Sequence, residues 1–260
     1  MNESLLVRDE GSGPPIVLLH AFPCDGRMWA PQAAALREAG WRVLVPDLPG
    51  FGGSDLLAGP PSVSAVADAV LSMLDERAVG PCALAGVSLG GYVAMGMLRA
   101  RPGVASAIIL CDTKATADGA AARENRERLA RLCLESPGET ARILEQAVLP
   151  GLLGETSRAI RPGVVARVRG WLGEAPADTI AWYQRAMADR LDSLGVLAAA
   201  RVPALVVWGD EDTLSPASEQ DAMMASLPDA RLVTIAGAGH LANVEKPEEV
   251  TSALLTHLPI

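Results

Sequence analysis

Six short apolar runs recur along the chain, at residues 15–19, 42–45, 82–85, 105–111, 204–208 and 231–235. Unbroken Val, Leu, Ile and Ala, rather than strict alternation with polar residues, predicts strands buried on both faces, as in a parallel sheet covered by helices. Between the runs, residues 29–39, 63–79, 89–101, 217–226 and 247–257 return apolar side chains every three or four positions, which predicts amphipathic helices. Such alternation predicts an α/β protein with a mostly parallel, doubly wound sheet. Ligands of these sheets collect at the carboxyl ends of the strands.

The alternation breaks over residues 113–200, which hold charged helical patterns at 121–134, 139–148 and 178–191 but no strand pattern. An insertion of this size predicts a helical cap over the carboxyl edge of the sheet. The chain then divides into core segments 1–112 and 201–260 with the cap, 113–200, between them. Within the cap, residues 149–154 read as a loop between helices, and Trp171, Trp182 and Tyr183 as packing residues.

Composition narrows the partners. A chain of 260 residues, half of them apolar, suits one α/β unit with an insertion. A net charge of −9 without a basic cluster argues against nucleic acid and anionic membranes, and disfavours polyanionic substrates. No apolar stretch approaches ~18 residues and the first nine carry acidic groups, so neither a membrane span nor a secretory leader is expected. Cys24, Cys82, Cys111 and Cys133 lie far apart without metal-ligand spacing, as expected of small buried hydrophobes in a reduced, cytoplasmic protein.

Candidate chemistry centres on Gly86-Val87-Ser88-Leu89-Gly90, where an apolar run ends and a helical pattern begins. The bare pattern is common; its position between strand and helix makes it specific. A side chain at Gly86 or Gly90 would collide across so tight a turn, and the serine at its corner presents a hydroxyl with helix amides behind it. A serine hydroxyl needs a base, and the base needs an orienting carboxylate. His240, in Gly237-Ala238-Gly239-His240, follows the last strand, and Asp212, in Asp210-Glu211-Asp212, follows the one before. His20 reads as a packing or loop-bonding residue and His257 as a surface one. Asp210, Glu211 and Asp112 stand as alternatives to Asp212. Two backbone amides, Leu89 and Phe22, are candidates to receive a developing oxyanion. No metal, flavin or nicotinamide motif is present, and serine acyl transfer requires no cofactor.

These blocks, with residues 15–27, residues 46–55, and Gly239-His240 followed by Glu245-Lys246-Pro247-Glu248, make the chain resemble the α/β-hydrolase superfamily. The resemblance is to its branch of small capped carboxylesterases and enol-lactonase-like proteins, to which Asp112-Thr113-Lys114-Ala115 adds. It implies Ser88, Asp212 and His240 as a catalytic triad, with Phe22 and Leu89 supplying the oxyanion amides. The family usually has His-Gly where this chain has His20-Ala21. If that position needs a positive φ, the methyl costs about 1 kcal/mol.

The implied activity is hydrolysis of small to medium, largely apolar carboxylic esters through an acyl-enzyme. A lactonase or a perhydrolase with the same triad is the near alternative, and a catalytically silent ligand-binding protein is the alternative of another class. Epoxide hydrolases and haloalkane dehalogenases of this fold need Asp where Ser88 stands. The expected partner is therefore a small-molecule ester or lactone.

Overall fold

The computed structural model describes residues 5–258, so the first four residues of the stretch read for a leader lie outside the described residues. Seven strands form one sheet: β1 (Val7–Glu10), β2 (Pro15–Leu19), β3 (Arg42–Pro46), β4 (Cys82–Val87), β5 (Ala105–Cys111), β6 (Ala204–Gly209) and β7 (Ala230–Ile235). Their order is β1-β3-β2-β4-β5-β6-β7, with β1 antiparallel to β3 and every other pair parallel. The six apolar runs of the sequence fall on β2 to β7, and all six residues of β4 are buried. Each such Leu, Ile or Val removed from water contributes about 1.5–3 kcal/mol before chain entropy is counted.

The edges depart from expectation. β1 is absent from the apolar pattern because three of its four residues are Arg8, Asp9 and Glu10, whose side chains face solvent at the sheet's margin. At the other edge, β7 exposes much of its length, including Leu232 at 40%. A strand covered by helices on both faces was expected there. Paired on one side only, β7 needs no apolar side chain at every position.

Helices α1 (Ala30–Glu38), α2 (Val63–Glu76) and α3 (Leu89–Ala100) connect the first strands, α1 entered through a 3₁₀ turn at Gly26–Trp29. α2 stops three residues before its periodic pattern does. Ala78 adopts φ 49°, Val79 N–H donates to Leu74 C=O and Ala78 N–H to Asp75 C=O, the paired bonds of a left-handed helix end. No side chain periodicity announces such a stop.

Between β5 and β6 the chain forms helices only: α4 (Ala120–Glu135), a 3₁₀ turn at Pro137–Glu139, α5 (Thr140–Ala147), α6 (Leu149–Leu152), α7 (Glu155–Ile160), α8 (Pro162–Glu174), α9 (Ala177–Ala188) and α10 (Leu194–Ala199). α4 lies along α9. Trp171, Trp182 and Tyr183 are buried packing residues. The Tyr183 ring centroid is 4.8 Å from that of Phe51, and Trp182 Nε1 donates to Gly59 C=O at 3.3 Å, tying α9 to the loop after β3. The chain closes with α11 (Ala217–Ser226), α12 (Ala242–Glu245) and α13 (Pro247–His257).

Candidate active site

Ser88 stands at the corner between β4 and α3 with φ 52° and ψ −111°, a conformation that costs a non-glycine residue of order 1–3 kcal/mol. The surroundings hold it there. Ser88 N–H donates to Cys111 C=O at 3.0 Å, and Thr113 Oγ1 donates to Ser88 C=O at 2.8 Å. The flanking glycines admit the helix: a Cβ at Gly86 would lie 2.2 Å from Gly90 C, and one at Gly90 2.1 Å from Leu19 O. Sequence spacing thus becomes a buried hydroxyl turned into the cavity at the carboxyl edge of the sheet through steric exclusion.

The loops after β6 and β7 bring two more side chains to it. His240 Nε2 lies 2.7 Å from Ser88 Oγ, and His240 Nδ1 lies 2.8 Å from Asp212 Oδ2. The serine hydroxyl donates to Nε2, and Nδ1–H donates to the carboxylate. Asp212 is saturated as an acceptor: Oδ1 receives Leu214 N–H at 2.8 Å and Ser215 N–H at 3.1 Å, while Oδ2 also receives the Ser215 hydroxyl. Burial favours its neutral form, but His240 and the Ser215 bonds outweigh this and hold the carboxyl below its ordinary pKa. Burial likewise opposes charge on His240. The charge and hydrogen bond of Asp212, with Asp112 and Glu245 behind, reverse the sign and raise the imidazole above its usual value.

The alternative acids are engaged elsewhere. Asp210 accepts from Gly237 N–H at 2.7 Å, and Glu211 accepts from Thr156 N–H and its hydroxyl. Asp112, fully buried, accepts from Gly209 N–H at 2.8 Å and Ala242 N–H at 2.9 Å, so it straps the Asp212 strand to the His240 loop. Burial first, and the Asp212 charge second, push its carboxyl up to about 8. Glu245 performs a similar task on the other side of His240, accepting from Gly239 N–H at 2.9 Å and Gly154 N–H at 3.0 Å. Neither strap was foreseen as such, because each joins segments distant in sequence. Ser215 was missed as well, although its place three residues after Asp212 is a recurrent side-chain turn spacing.

His20 is buried in its loop: Nε2 accepts from Leu48 N–H at 2.8 Å, leaving Nδ1–H to donate to Ala21 C=O at 3.0 Å. His257, expected on the surface, is half-buried at the end of α13. The feared cost at Ala21 does not arise, since the residue lies outside the positive-φ region. Among the described residues, neither Phe22 N–H nor Leu89 N–H donates to a protein acceptor.

Phe22, Ser88 and His240 line one cavity of about 430 Å³. Most of its wall comes from the helical insertion, with Leu129, Leu152 and Met187 apolar and Lys114, Arg126 and Gln184 polar, and Tyr92 and Leu214 complete it from the core. Residues 149–154, expected as a plain loop, contain the short helix α6, and Gly151 and Leu152 form part of the cavity wall. All four cysteines are free and buried. No group of three or more metal-ligating side chains occurs among the described residues. No helix among them is long and apolar enough to cross a membrane.

The sequence matches the family model described as the alpha/beta hydrolase family over residues 16–253. The chain belongs to the alpha/beta hydrolase family. Its sheet and helices superpose on a thermophilic esterase from Thermogutta terrifontis, solved with malate bound. The TM-score is 0.90 at 37% identity, covering 96% of this chain and 91% of that one. The enol-lactonase of Burkholderia xenovorans LB400 matches with a TM-score of 0.88 at 26% identity, over 97% and 95% of the two chains. In sequence, the pimeloyl-[acyl-carrier protein] methyl ester esterase of Aeromonas hydrophila is 29% identical over 95% of this chain and 96% of that protein. The chain spans 64% of the length of another, longer curated relative. Family and esterase relatives together support hydrolase activity.

Proposed function

We propose that this alpha/beta hydrolase cleaves small to medium carboxylic esters through an acyl-enzyme on Ser88. The observation that carries the reading is the continuous chain of hydrogen bonds from Ser88 through His240 to Asp212, opening on a single cavity. Ser88 Oγ attacks the ester carbonyl while His240 Nε2 takes its proton. The negative oxygen is received by the amides of Phe22 and Leu89, each such donor being worth about 10²–10³ in turnover. The imidazolium, steadied by Asp212, then protonates the departing alcohol, and a water activated by the same ring releases the acid. In this account residues 113–200 act as a cap over core segments 1–112 and 201–260. The four free thiols agree with a cytoplasmic protein.

Lactone opening is a second reading, favoured by the structural likeness to an enol-lactonase, since a cyclic ester presents the same carbonyl to the same serine. Rates over p-nitrophenyl esters of increasing acyl length, beside a set of lactones, test both. Ester turnover that disappears in Ser88→Ala supports the first reading. Lactone rates well above every ester favour the second. Hydrolysis of either substrate by Ser88→Ala at the wild-type rate overturns the acyl-enzyme.

A further inference from the structure

The cavity over Ser88 is charged at one wall. Asp118, whose side chain is fully buried, gathers Lys114 Nζ at 3.4 Å, Arg190 Nη1 at 2.8 Å and the Arg126 Nε group. Three cations around one carboxylate leave a surplus of two positive charges. Asp118 is the only acidic residue among the described residues that line the cavity, whereas Lys114, Arg126 and Arg128 all line it.

The three cations at Asp118 are not equally committed. Arg190 is used up by the fold: Nη1 donates to Met187 C=O, Nη2 to Thr116 C=O, and the guanidinium lies 4.2 Å from the Tyr92 ring centre. Arg126 spends Nε on Asp118 and Nη1 on Gln184 Oε1 at 3.3 Å, leaving Nη2 without an acceptor among the described residues. The Lys114 ammonium is freer still. Its side chain is only 18% exposed, and its one ion-pair partner among the described residues is Asp118, at 3.4 Å. An ammonium carries three donors, so Lys114, on the cavity wall, keeps donors to spare for an acceptor that enters the cavity.

We propose that the substrate carries a carboxylate besides its ester group, and that Lys114 and Arg126 receive it at the cap-side wall. The inference rests on the acyl-enzyme reading above and names the substrate class of that same site. Lys114 follows β5 and Ser88 follows the adjacent β4, so one small molecule within the cavity spans both. Two forked or rotating donor groups match the two oxygens of a carboxylate. The chain's overall charge of −9 repels anions at a distance, but within a walled cavity the local surplus sets the sign of the field. The proposal adds one charged group to the largely apolar esters expected from the sequence.

Two matched pairs of esters test this, with acid release followed by titration. Ethyl hydrogen glutarate against ethyl 4-carbamoylbutanoate puts the charge on the acyl arm. Acetoxyacetate against acetoxyacetamide puts it on the alcohol arm. In at least one pair, kcat/KM for the anion exceeds that for the amide by about 10-fold or more, as for a charge-assisted bond. That ratio narrows as salt is raised, falls about 10-fold in Lys114→Met and is retained in Lys114→Arg. Ratios at or below one in both pairs, or a ratio unmoved in Lys114→Met, overturn the proposal. Should that variant not fold, inhibition of wild-type p-nitrophenyl acetate hydrolysis decides instead: glutarate is expected to inhibit at least ~10-fold more tightly than glutaramide, and equal inhibition overturns the proposal. Loss of p-nitrophenyl acetate hydrolysis in Ser88→Ala is recorded in parallel. If it is not lost, the acyl-enzyme reading fails; if it is lost and no anion preference appears, only the carboxylate proposal fails.

Discussion

The Asp212 carboxylate receives four donors, three of them from its own turn and one from His240. It is therefore held ionised, and His240 beside it has a raised pKa. Because the base must be neutral to take the serine proton, kcat/KM for a neutral ester is expected to rise with pH. The midpoint should lie above the ordinary histidine value of about 6.5. In Asp212→Asn the charge that raises the imidazole is gone, so the residual activity should titrate at lower pH. A pH–rate series on both proteins checks this; identical midpoints would contradict it. Ser88→Ala and His240→Ala should each cost roughly 10⁴-fold or more in turnover, and the double variant little beyond either. Asp112→Asn should lower stability by about 1–3 kcal/mol, since an amide cannot accept both backbone N–H groups. It should lower turnover less than Asp212→Asn; the reverse order would make Asp112 the acid. Ser88, Asp212 and His240 could be nominated from the sequence because each lies at, or a few residues beyond, the end of a strand whose apolar run marks where the chain emerges. Ser215, Asp112 and Glu245 were not legible in their bonding roles, which depend on distances between loops rather than on spacing along the chain.

At the level of elements, positions are set by close approaches and straps. A Cβ at Gly239 would stand 2.2 Å from Gly154 N, so the His240 loop and the start of α7 meet backbone to backbone, with Glu245 bonded to both. Gly90→Ala drives a methyl into β2 at Leu19 and should destabilise by about 1–3 kcal/mol or more, checked by denaturant unfolding. Ala78→Gly should do the opposite. Removing a methyl from a left-handed helix end gains about 0.5–1 kcal/mol after glycine's greater freedom in the unfolded chain is allowed for, raising Tm by roughly 1–3 °C. A lowered Tm would contradict the reading of that cap. The central strands were legible because burial on both faces leaves no polar residue to interrupt them. β1 was not, for it holds its place through backbone pairing with β3 and through ion pairs such as Arg42–Asp9 and Arg8–Asp47, which no apolar pattern records.

Across the whole molecule, a net negative surface surrounds a cavity with one cationic wall and one buried Ser–His–Asp chain. The cationic wall escaped the sequence because Lys114, Asp118, Arg126 and Arg190 come from the loop after β5, from α4 and from the turn after α9, and meet only when the helices pack. The claim on which the rest depends is that Ser88 is a nucleophile activated by His240. Incubation with a fluorophosphonate, followed by digestion and peptide mass measurement, tests it most directly. The account predicts one adduct, on Ser88, abolished in Ser88→Ala and slowed by orders of magnitude in His240→Ala. No adduct on the folded wild-type protein, or labelling at Ser88 that proceeds equally fast without His240, would contradict it.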